Sequence, residues 1–379
     1  MHKERMLDNL KNITEEILGE ERLVELLNSN IQPVHYIGFE ISGKPHIGSG
    51  IVTMMVIKEL LKLNVKCKIF LADWHSWINN KLGGDIDFIR EVGIPYFKEN
   101  ILAAAKCVGV DPSNIEFVIG SDLAKDMQYW ATVVDVGRNT SLSRIQRSIT
   151  IMGRKEGDSV DFAKLMYPAM QAADIFYMGI HIAHAGMDQR KAHVIAIDDA
   201  NHMDINPIIV NEKKFKPVAV HQHLLMGLTP PSKEILERIE KGEISPKDVL
   251  GELKMSKSKP DSAIFMNDSE EEVIRKINKA YCPEGITVLN PVLDWVENLC
   301  FKFSNSEINI LRDEKWGGNI TYKTYEELKN DFEQKKLHPS DLKKAVALFI
   351  NDFLRPAREH LSKQEIVEMA KKIEEKVTR

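Results

Sequence analysis

Apolar residues recur along this chain with two different periods, one typical of strands and one typical of helices. Short apolar runs predict buried strands, and apolar residues three and four positions apart predict helices between them. Because strands and helices alternate, we expect an α/β fold built on a parallel sheet. The predicted strands are 34–40, 66–72, 115–121, 180–185 and 217–225, and the predicted helices among them are 48–63, 85–107, 164–178 and one that ends near 203.

Most of the remaining pattern before residue 200 is helical. Residues 5–29 carry apolar residues at helical spacing, which predicts a helical segment ahead of the first strand. Residues 122–163 are predicted to be mostly helical with scattered basic residues, a pattern that fits either a solvated helical hairpin or an RNA-facing surface. The helix over 164–178 is expected to begin near Tyr167 and Pro168, because proline suits the first turn of a helix.

The pattern changes after Pro260, where charged helical segments dominate. This change predicts an all-α domain over 265–379 that follows an α/β domain over 1–264. The stretch 229–250, just before the boundary, is polar and is predicted to lie outside the core. The helical segments predicted in the second domain are 268–280, 290–304, 324–336, 340–360 and 362–378.

The composition is that of an ordinary globular protein: the 379 residues are 43% hydrophobic and 28% charged, with a net charge of −5. No apolar run approaches the ~20 residues that a membrane span requires. The N-terminus leads into a charged amphipathic helix rather than a signal peptide, and four scattered cysteines fit a reducing compartment, so we expect a cytoplasmic protein. The mild acidity argues against a protein that coats nucleic acid, although local basic patches can still bind RNA.

A candidate phosphate site opens the α/β domain. The first predicted strand leads through a turn rich in glycine, serine and proline into a helix start at Pro45-His-Ile-Gly-Ser49. Free backbone N–H groups and the helix dipole favour an anion there, and His46 can donate to phosphate oxygens. A strand–turn–helix unit alone is weak support, since many α/β proteins contain one.

A second candidate is the loop Lys254-Met-Ser-Lys-Ser258. Its lysines can neutralise charge that develops on a phosphate group during transfer, and its serines can add hydrogen bonds. A lysine-rich loop taken alone is more often a solvated surface. The loop therefore gains meaning only together with Pro45–Ser49.

A third candidate is a polar stripe on the helix over 164–178. Tyr167, Gln171 and Asp174 are four and three residues apart, so their side chains share one face of the helix and converge on one pocket. A solvent-facing stripe is the ordinary alternative, but the neighbouring alanines leave room for a ligand. Gln189, after a predicted strand, and Tyr36, within the first strand, are further candidates, although a strand tyrosine is more often a packing residue.

Taken together, Pro45–Ser49 and Lys254–Ser258 resemble the HIGH and KMSKS signatures of class I aminoacyl-tRNA synthetases, with Ser49 in place of the second histidine. Longer segments are similar to tyrosyl-tRNA synthetases of the archaeal and eukaryotic type, although the stretch 200–250 is longer than in the shortest members. The similar segments are His35–Glu40, Leu71–His75, Tyr167–Asp174, Gly186–Lys191, Lys279–Pro283 and Leu337–Lys343.

The resemblance implies a role for each residue that matches a family motif. Tyr36 and Asp174 would bind the phenol hydroxyl of tyrosine. Phenylalanine, which lacks the hydroxyl, would leave both groups unpaired, and this synthetase type is itself the standard example of such discrimination. The implied catalytic residues are His46, Lys254 and Lys257; the tyrosine-binding residues are Tyr36, Tyr167, Gln171, Asp174, Gln189, Gly38 and His75, with Tyr167, Gln171 and Gln189 at the α-ammonium; the ATP-binding residues are Gly38, His46, Gly48, Ser49, Met255, Ser256, Lys257 and Ser258.

The resemblance also implies the fold and the partners. The first domain, 1–264, would be a Rossmann-like catalytic domain with a helical insertion at about 122–163, and the second, 265–379, would bind the anticodon by stacking and edge hydrogen bonds. The implied partners are tRNA(Tyr), L-tyrosine, ATP with Mg²⁺ as substrate, and a second copy in a homodimer, without a membrane, a resident metal or a tightly bound cofactor. The implied tRNA-binding residues are Arg144, Arg147, Arg190 and Lys191 for the acceptor end, and Trp316, His338 and Asp341 for the anticodon.

The expected reaction is the ligation of tyrosine to tRNA in two steps. ATP first converts tyrosine to tyrosyl-adenylate and pyrophosphate, and the 3′ end of tRNA then takes the tyrosyl group. Three alternatives stay open: a tryptophanyl-tRNA synthetase of the same architecture, a nucleotidyltransferase with a similar histidine motif, and an RNA-binding paralogue without activity.

Histidines at 181 and 184, and at 221 and 223, lack the cysteine or acidic partners that zinc usually requires.

Overall fold

The structure, a computed structural model, describes residues 2–257, 259–302 and 307–377. Its strands are β1 (Thr14–Leu18), β2 (Val34–Phe39), β3 (Lys66–Leu71), β4 (Ile115–Ile119), β5 (Ile182–Gly186), β6 (Ile209–Val210), β7 (Lys213–Lys214), β8 (Val218–Gln222), β9 (Ile308–Ile310) and β10 (Ile320–Tyr322). Each of the five predicted strands is present, and the parallel α/β fold is confirmed.

Helices alternate with the strands of the main sheet and make up most of the C-terminal part. Those before residue 260 are α1 (His2–Ile13), α2 (Glu20–Asn28), α3 (Thr53–Lys62), α4 (Asp73–Ile78), α5 (Ile86–Phe88), α6 (Ile94–Val108), α7 (Gly120–Ala124), α8 (Met127–Asn139), α9 (Leu142–Ser148), α10 (Phe162–Tyr177), α11 (Arg190–Asp199), α12 (Lys233–Glu240) and α13 (Leu250–Leu253). Those after it are α14 (Glu270–Lys279), α15 (Pro291–Trp295), α16 (Tyr325–Glu333), α17 (Pro339–Phe353), α18 (Arg355–Leu361) and α19 (Gln364–Val377). Among the described residues, none of these helices is long and apolar enough to cross a bilayer.

The main sheet has six strands in the order β1-β8-β5-β2-β3-β4. Strand β2 is central, pairing in parallel with β3 on one side and with β5 on the other. Because β3 and β5 lie on opposite sides of β2, the strand order reverses at β2. Open α/β sheets bind ligands in the crevice that such a reversal leaves beyond the carboxyl ends of the strands.

The predicted helix over 5–29 is wrong in its middle. The structure has α1, then the strand β1, then α2, with β1 pairing antiparallel to β8 at the sheet edge. Gly19 follows β1 with a left-handed φ of 88°, which ends the strand and starts α2. The apolar residues Ile17 and Leu18 fit a short strand as well as a helix, so spacing alone could not separate the two.

The helix that carries the polar stripe begins earlier than predicted. Its N-cap is Asp161, whose side chain accepts from the Lys164 N–H, so Pro168 is inside the helix rather than in its first turn. The proline nitrogen cannot donate to the carbonyl of Lys164 four residues back. The preceding residues 153–161, all of which the structure describes, lie outside helices, so the helical prediction for 122–163 fails over this segment.

The C-terminal part is helical, as predicted, and also contains a hairpin of β9 and β10 that the sequence pattern did not indicate. Its last two helices pack against the α/β part. His360 on α18 is 2.6 Å from the Glu99 carboxylate and 2.8 Å from the Lys106 ammonium, both on α6. Lys376 on α19 pairs with Asp85 at 2.7 Å.

Candidate active site

A cavity with a volume of about 240 Å³ opens beyond the carboxyl ends of β2 and β5. Its two ends are lined by different chemistry. At one end lie the residues expected to bind tyrosine: Tyr36, Gly38, His75, Tyr167, Gln171, Asp174 and Gln189. At the other lie residues of the two signature motifs: His46, Gly48, Ser49, Lys254, Met255 and Lys257.

Asp174 forms the closed bottom of the first end. Its Oδ1 accepts from the Tyr129 hydroxyl at 2.9 Å, and its Oδ2 lies 3.4 Å from His75 Nε2. Burial raises the pKa of the Asp174 carboxyl well above its usual range, because its charge is removed from water. A ligand hydroxyl that donates to this carboxylate would restore part of the lost solvation.

Tyr36 reaches this end from β2 and is 2% exposed. Burial, and then the nearby Asp174, raise the pKa of the Tyr36 hydroxyl well above its usual range, so it stays protonated and can donate. Burial lowers the pKa of His75 to about 4, so this ring is neutral at pH 7. The end therefore combines a buried carboxylate with neutral partners, an arrangement suited to a neutral hydroxyl.

The side of the cavity near α10 carries groups that can hold a cation. The Tyr167 hydroxyl donates to Glu40 Oε1 at 3.0 Å. Gln171 Nε2 donates to Gln189 Oε1 at 3.4 Å, and Gln189 Nε2 is fixed by the Ile151 carbonyl at 2.9 Å. The buried Gln171 Oε1 has no hydrogen-bond partner within the described part of the chain. It is a free acceptor beside the cavity.

The second end begins at the π-helical turn Gly48–Val52, which precedes α3. The Ser49 N–H donates to His46 Nδ1 at 3.3 Å, so the ring proton belongs on Nε2, which is left to donate to a ligand. Burial, and then Lys257 and Lys254, lower the pKa of His46 to about 3, so the ring donates as a neutral group. A Cβ on Gly48 would lie 3.1 Å from the His46 ring, so glycine leaves room for this arrangement.

Ser49, the departure from the family signature, is engaged within its own turn. Its hydroxyl donates to the His46 carbonyl at 3.0 Å and lies 3.2 Å from the His46 N–H. It therefore stabilises the turn that presents His46, in addition to lining the cavity.

The lysine loop faces this turn across the cavity. Lys257 Nζ donates to Ser42 Oγ at 2.9 Å, and Lys254 Nζ forms an ion pair with Asp188. Burial, and then the repulsion from Lys81, lower the pKa of Lys257 to about 8. Ser256 is described but does not line the cavity, and Ser258 lies outside the described residues.

The basic residues expected near the tRNA acceptor end lie together on α9 and α11. Lys191 Nζ donates to the Arg147 carbonyl at 2.9 Å. Arg144 pairs with Asp198, and Arg190 pairs with Glu16 at 2.8 Å. The charges of Arg144 and Arg190 are thus partly balanced by neighbouring acidic residues.

The residues expected to read the anticodon lie in the C-terminal part. Trp316 is 70% exposed, and His338 is exposed while its Nδ1 accepts from the Ser340 N–H at the start of α17. Arg312 connects the two regions, since it donates to the Gly318 and Lys336 carbonyls at 2.8 and 3.0 Å. Asp341 lies in the first turn of the same helix.

The histidines considered as metal ligands have other partners. His184 lies 3.1 Å from His35 and 2.9 Å from Gln222 Oε1, and His221 lies 2.8 Å from Glu16. In the part of the chain that the structure describes, no group of three or more histidine, cysteine or acidic side chains is arranged to hold a metal ion.

Roles were not assigned from the sequence to Glu40, Asp188 and His223, which line the cavity, or to Tyr129, which donates to Asp174. Glu40 and Asp188 stand inside the quoted segments His35–Glu40 and Gly186–Lys191, so their position was a usable signal. Tyr129 lies in the helical insertion, where no motif singles it out. Its place beside Asp174 depends on the packing of α8 against α10.

Comparison with known proteins identifies the family. The sequence profile of "tRNA synthetases class I (W and Y)" matches residues 28–355. The chain is 50% identical over 373 residues to Tyrosine--tRNA ligase of Pyrococcus furiosus, covering 98% of each chain. It is 49% identical over 362 residues to the same enzyme of Thermococcus sibiricus, covering 95% of this chain and 96% of the relative.

Solved structures agree with the sequence comparison. The tyrosyl-tRNA synthetase of Pyrococcus horikoshii, solved with L-tyrosine, is 48% identical with a TM-score of 0.92, covering 97% of this chain and 99% of the other. A tryptophanyl-tRNA synthetase of Aeropyrum pernix shares the fold alone, with a TM-score of 0.64 at 17% identity. The chain belongs to the tyrosyl-tRNA synthetases within the class I tRNA synthetases.

Proposed function

We propose that this chain is a tyrosine–tRNA ligase that activates L-tyrosine with ATP and transfers the tyrosyl group to tRNA(Tyr). The observation that carries the proposal is the cavity beyond β2 and β5, which joins a buried hydroxyl-binding end to a cationic end. The high identity to tyrosine–tRNA ligases over nearly the whole chain favours tyrosine over the tryptophan alternative.

Tyrosine binds with its phenol ring toward β2. Its hydroxyl donates to Asp174 and accepts from Tyr36, at a bottom where Tyr129 already donates to Asp174 and the neutral His75 ring lies nearby. Its α-ammonium lies among Tyr167, Gln171 and Gln189, where the free Gln171 oxygen supplies an acceptor; Gly38 lines the ring site.

Activation joins the tyrosine carboxylate to ATP. A carboxylate oxygen attacks the α-phosphorus in line, the bond to the bridging oxygen breaks, and pyrophosphate leaves with the electron pair. His46 Nε2, Lys254 and Lys257 stabilise the charge on the phosphates, so that catalysis is positioning and electrostatics without an enzyme nucleophile. Gly48, Ser49 and Met255 line this end of the cavity, and we assign Ser256 and Ser258 of the same loop to the ATP site as well. Mg²⁺ enters with ATP as part of the substrate.

Lys254 must exchange partners in this scheme. In the structure it pairs with Asp188 at the edge of the cavity. The triphosphate, with several negative charges, competes for this ammonium. The ion pair with Asp188 therefore keeps Lys254 at the cavity until ATP binds.

Transfer requires the 3′ end of tRNA to reach the same cavity. We assign the acceptor end to Arg144, Arg147, Arg190 and Lys191, which lie together on α9 and α11. We assign the anticodon to the exposed Trp316 with His338 and Asp341. The chain is thus divided into a catalytic domain, 1–264, and an anticodon-binding domain, 265–379.

We also assign a homodimer and a cytoplasmic location. Helix α8 leaves Met127 and Val134 84% and 62% exposed, and an apolar face of this kind suits a protein interface. A second copy is the occupant we propose, as the resemblance to tyrosyl-tRNA synthetases implies. Sedimentation of the full chain and of Val134→Glu tests it: the variant should be monomeric, and a monomeric wild-type chain would contradict the assignment.

The decisive assay of function is amino-acid-dependent ATP–pyrophosphate exchange with tyrosine, phenylalanine and tryptophan in parallel. We expect exchange with tyrosine alone, followed by charging of tRNA(Tyr). Exchange that depends on tryptophan, or no exchange with any of the three, would overturn the proposal.

A further inference from the structure

The backbone that carries Lys254 is held by a neighbouring segment, residues 225–227. Met226 lies opposite Lys254 in an antiparallel bridge. A Cβ on Gly227 would lie 3.2 and 3.3 Å from the carbonyl oxygens of Leu253 and Lys254, so the two segments approach closely. The flanking hydrogen bonds run from the Gly227 N–H to the Leu253 carbonyl at 2.6 Å and from the Met255 N–H to the Leu225 carbonyl at 3.1 Å.

Both backbone polar groups of Met226 are bonded to the C-terminal part. The Met226 N–H donates to Asp294 Oδ2 at 2.9 Å, and Trp295 Nε1 donates to the Met226 carbonyl at 2.8 Å. The side chain of Trp295 is fully buried. Two adjacent residues of α15 therefore fix the strand partner of Lys254.

Asp294 makes a second connection to the cavity. Its Oδ1 lies 2.7 Å from Nε2 of His223, which lines the cavity, and His223 Nδ1 lies 3.2 Å from Glu15 Oε2. Burial alone would lower the pKa of His223, but Asp294 and Glu15 outweigh it and raise the pKa to about 9. The imidazole is thus charged at neutral pH and bound between two carboxylates.

The side chain of Met226 is seated in a small apolar cluster with Val249 and Leu289. Leu289 shortly precedes α15. Val249 belongs to the stretch 229–250, which was predicted from its sequence to be polar and outside the core. The partly buried residues packed on this cluster are Ile235, Leu236, Ile239, Ile244, Leu250 and Leu253. The stretch therefore has its own apolar face, and that face covers Met226.

We propose that Asp294 and Trp295 are positioning residues for adenylate formation, acting through Met226 on the backbone that carries Lys254. The docking of α15 on Met226 then aligns the lysine loop with the cavity. The stretch 229–250 acts in the same assembly, because it completes the apolar seat of Met226. This inference rests on the proposed function, in which Lys254 acts on the phosphates of ATP.

Two substitutions in the full chain test the proposal through separate bonds. Asp294→Asn removes the charge that holds His223 and weakens the acceptor for Met226. Trp295→Phe removes the indole N–H together with part of the buried ring, and leaves Asp294 in place. We expect each to lower kcat for ATP–pyrophosphate exchange about tenfold, since small misplacements far from the reacting atoms have large effects on rate. The KM for tyrosine should stay within about twofold, because the tyrosine end is untouched. Glu297→Gln, on the next turn, is the matched control and should behave as wild type.

Hydrogen exchange of the Met255 amide supplies a readout besides activity. We expect faster exchange in Asp294→Asn than in Glu297→Gln or wild type, because the bond to the Leu225 carbonyl loosens. Unchanged kcat in both variants, or a rise of the tyrosine KM as large as the loss of kcat, would overturn the proposal. A wild-type chain without tyrosine-dependent exchange would instead refute the proposed function, and the Met255 amide would still decide whether α15 holds the loop.

Discussion

The two ends of the cavity are built in opposite ways. The tyrosine end is closed and buried: Asp174 is 1% exposed, Tyr36 is 2% exposed, and hydrogen bonds fix their neighbours before a ligand arrives. The ATP end is formed by a turn and a loop, and its lysines are bonded to Ser42 and Asp188, partners that a triphosphate can replace.

This difference assigns the selection of the amino acid to one end of the cavity and the rate of its activation to the other. A closed end with a buried acceptor discriminates among amino acids, because a poorly fitting ligand leaves polar groups unpaired. A half-exposed cationic end can stabilise the negative charge that moves from the α-phosphorus to pyrophosphate, and this stabilisation raises kcat. We therefore expect changes at the two ends to have different kinetic signatures.

The largest effect should come from Lys257→Ala. Loss of an ammonium that stabilises the transferring phosphate should lower kcat for tyrosine activation about 10² to 10³-fold, as for other preorganised electrostatic groups. Equilibrium binding of tyrosine should change less than about twofold, because Lys257 lies at the other end. Lys259→Ala, an exposed lysine two residues later, is the control. Equal losses in rate and in tyrosine affinity would contradict the separation.

Asp174→Asn should have the next largest effect and the opposite signature. Replacing a charged acceptor by a neutral amide should lower kcat/KM for tyrosine by about 10 to 100-fold, the usual value of a hydrogen bond to a charged group. Exchange with phenylalanine, which has no hydroxyl to donate, should hardly change. A parallel loss for both amino acids would mean that Asp174 supports only the shape of the pocket.

Trp316→Ala tests whether a third region acts apart from both ends. Loss of one stacking surface should raise the KM for tRNA about tenfold. ATP–pyrophosphate exchange should be unchanged, because Trp316 is outside the cavity. Leu348→Ala, another exposed apolar residue of the C-terminal part, should leave both steps as in wild type. A tRNA KM equal to that of wild type would remove Trp316 from the tRNA site.

The smallest effect concerns pH. The pKa of Lys257 is lowered to about 8, so its charge is present below this pH and is lost as the pH rises through it. The kcat/KM for ATP, which reports the free enzyme, should therefore fall several-fold between about pH 7.5 and pH 9. Lys257→Arg, which keeps its charge in this range, should flatten the fall. A profile that falls equally in wild type and variant would assign the titration to another group.

The sequence predicted the parts of this account that depend on local order. Alternating strands and helices predicted the parallel sheet, and the spacing of Tyr167, Gln171 and Asp174 placed three side chains in one cavity. The strand β1 was missed, because Ile17 and Leu18 fit helical spacing equally well and only its pairing with β8 selects a strand.

Contacts between segments far apart in the chain could not be predicted from the sequence. The Tyr129 hydroxyl reaches Asp174 from 45 residues away, and Asp294 reaches Met226 from 68 residues away. Neither residue belongs to a motif, and their roles follow only from how helices pack on the sheet. The position of Ser49 was visible as a departure, but its bonds to His46 required the geometry of the turn.

The most direct test of the separation between the two ends is the ratio of kcat/KM for tyrosine over phenylalanine, measured by ATP–pyrophosphate exchange in Lys257→Ala and in wild type. Tyrosyl-tRNA synthetases are themselves the established example of discrimination of roughly 10⁴ to 10⁵-fold at such a site. We predict that the ratio in Lys257→Ala stays within about threefold of wild type while both rates fall together, since the two substrates lose the same phosphate contact. A ratio that falls tenfold or more would show that the lysine loop takes part in selecting the amino acid and would contradict the account.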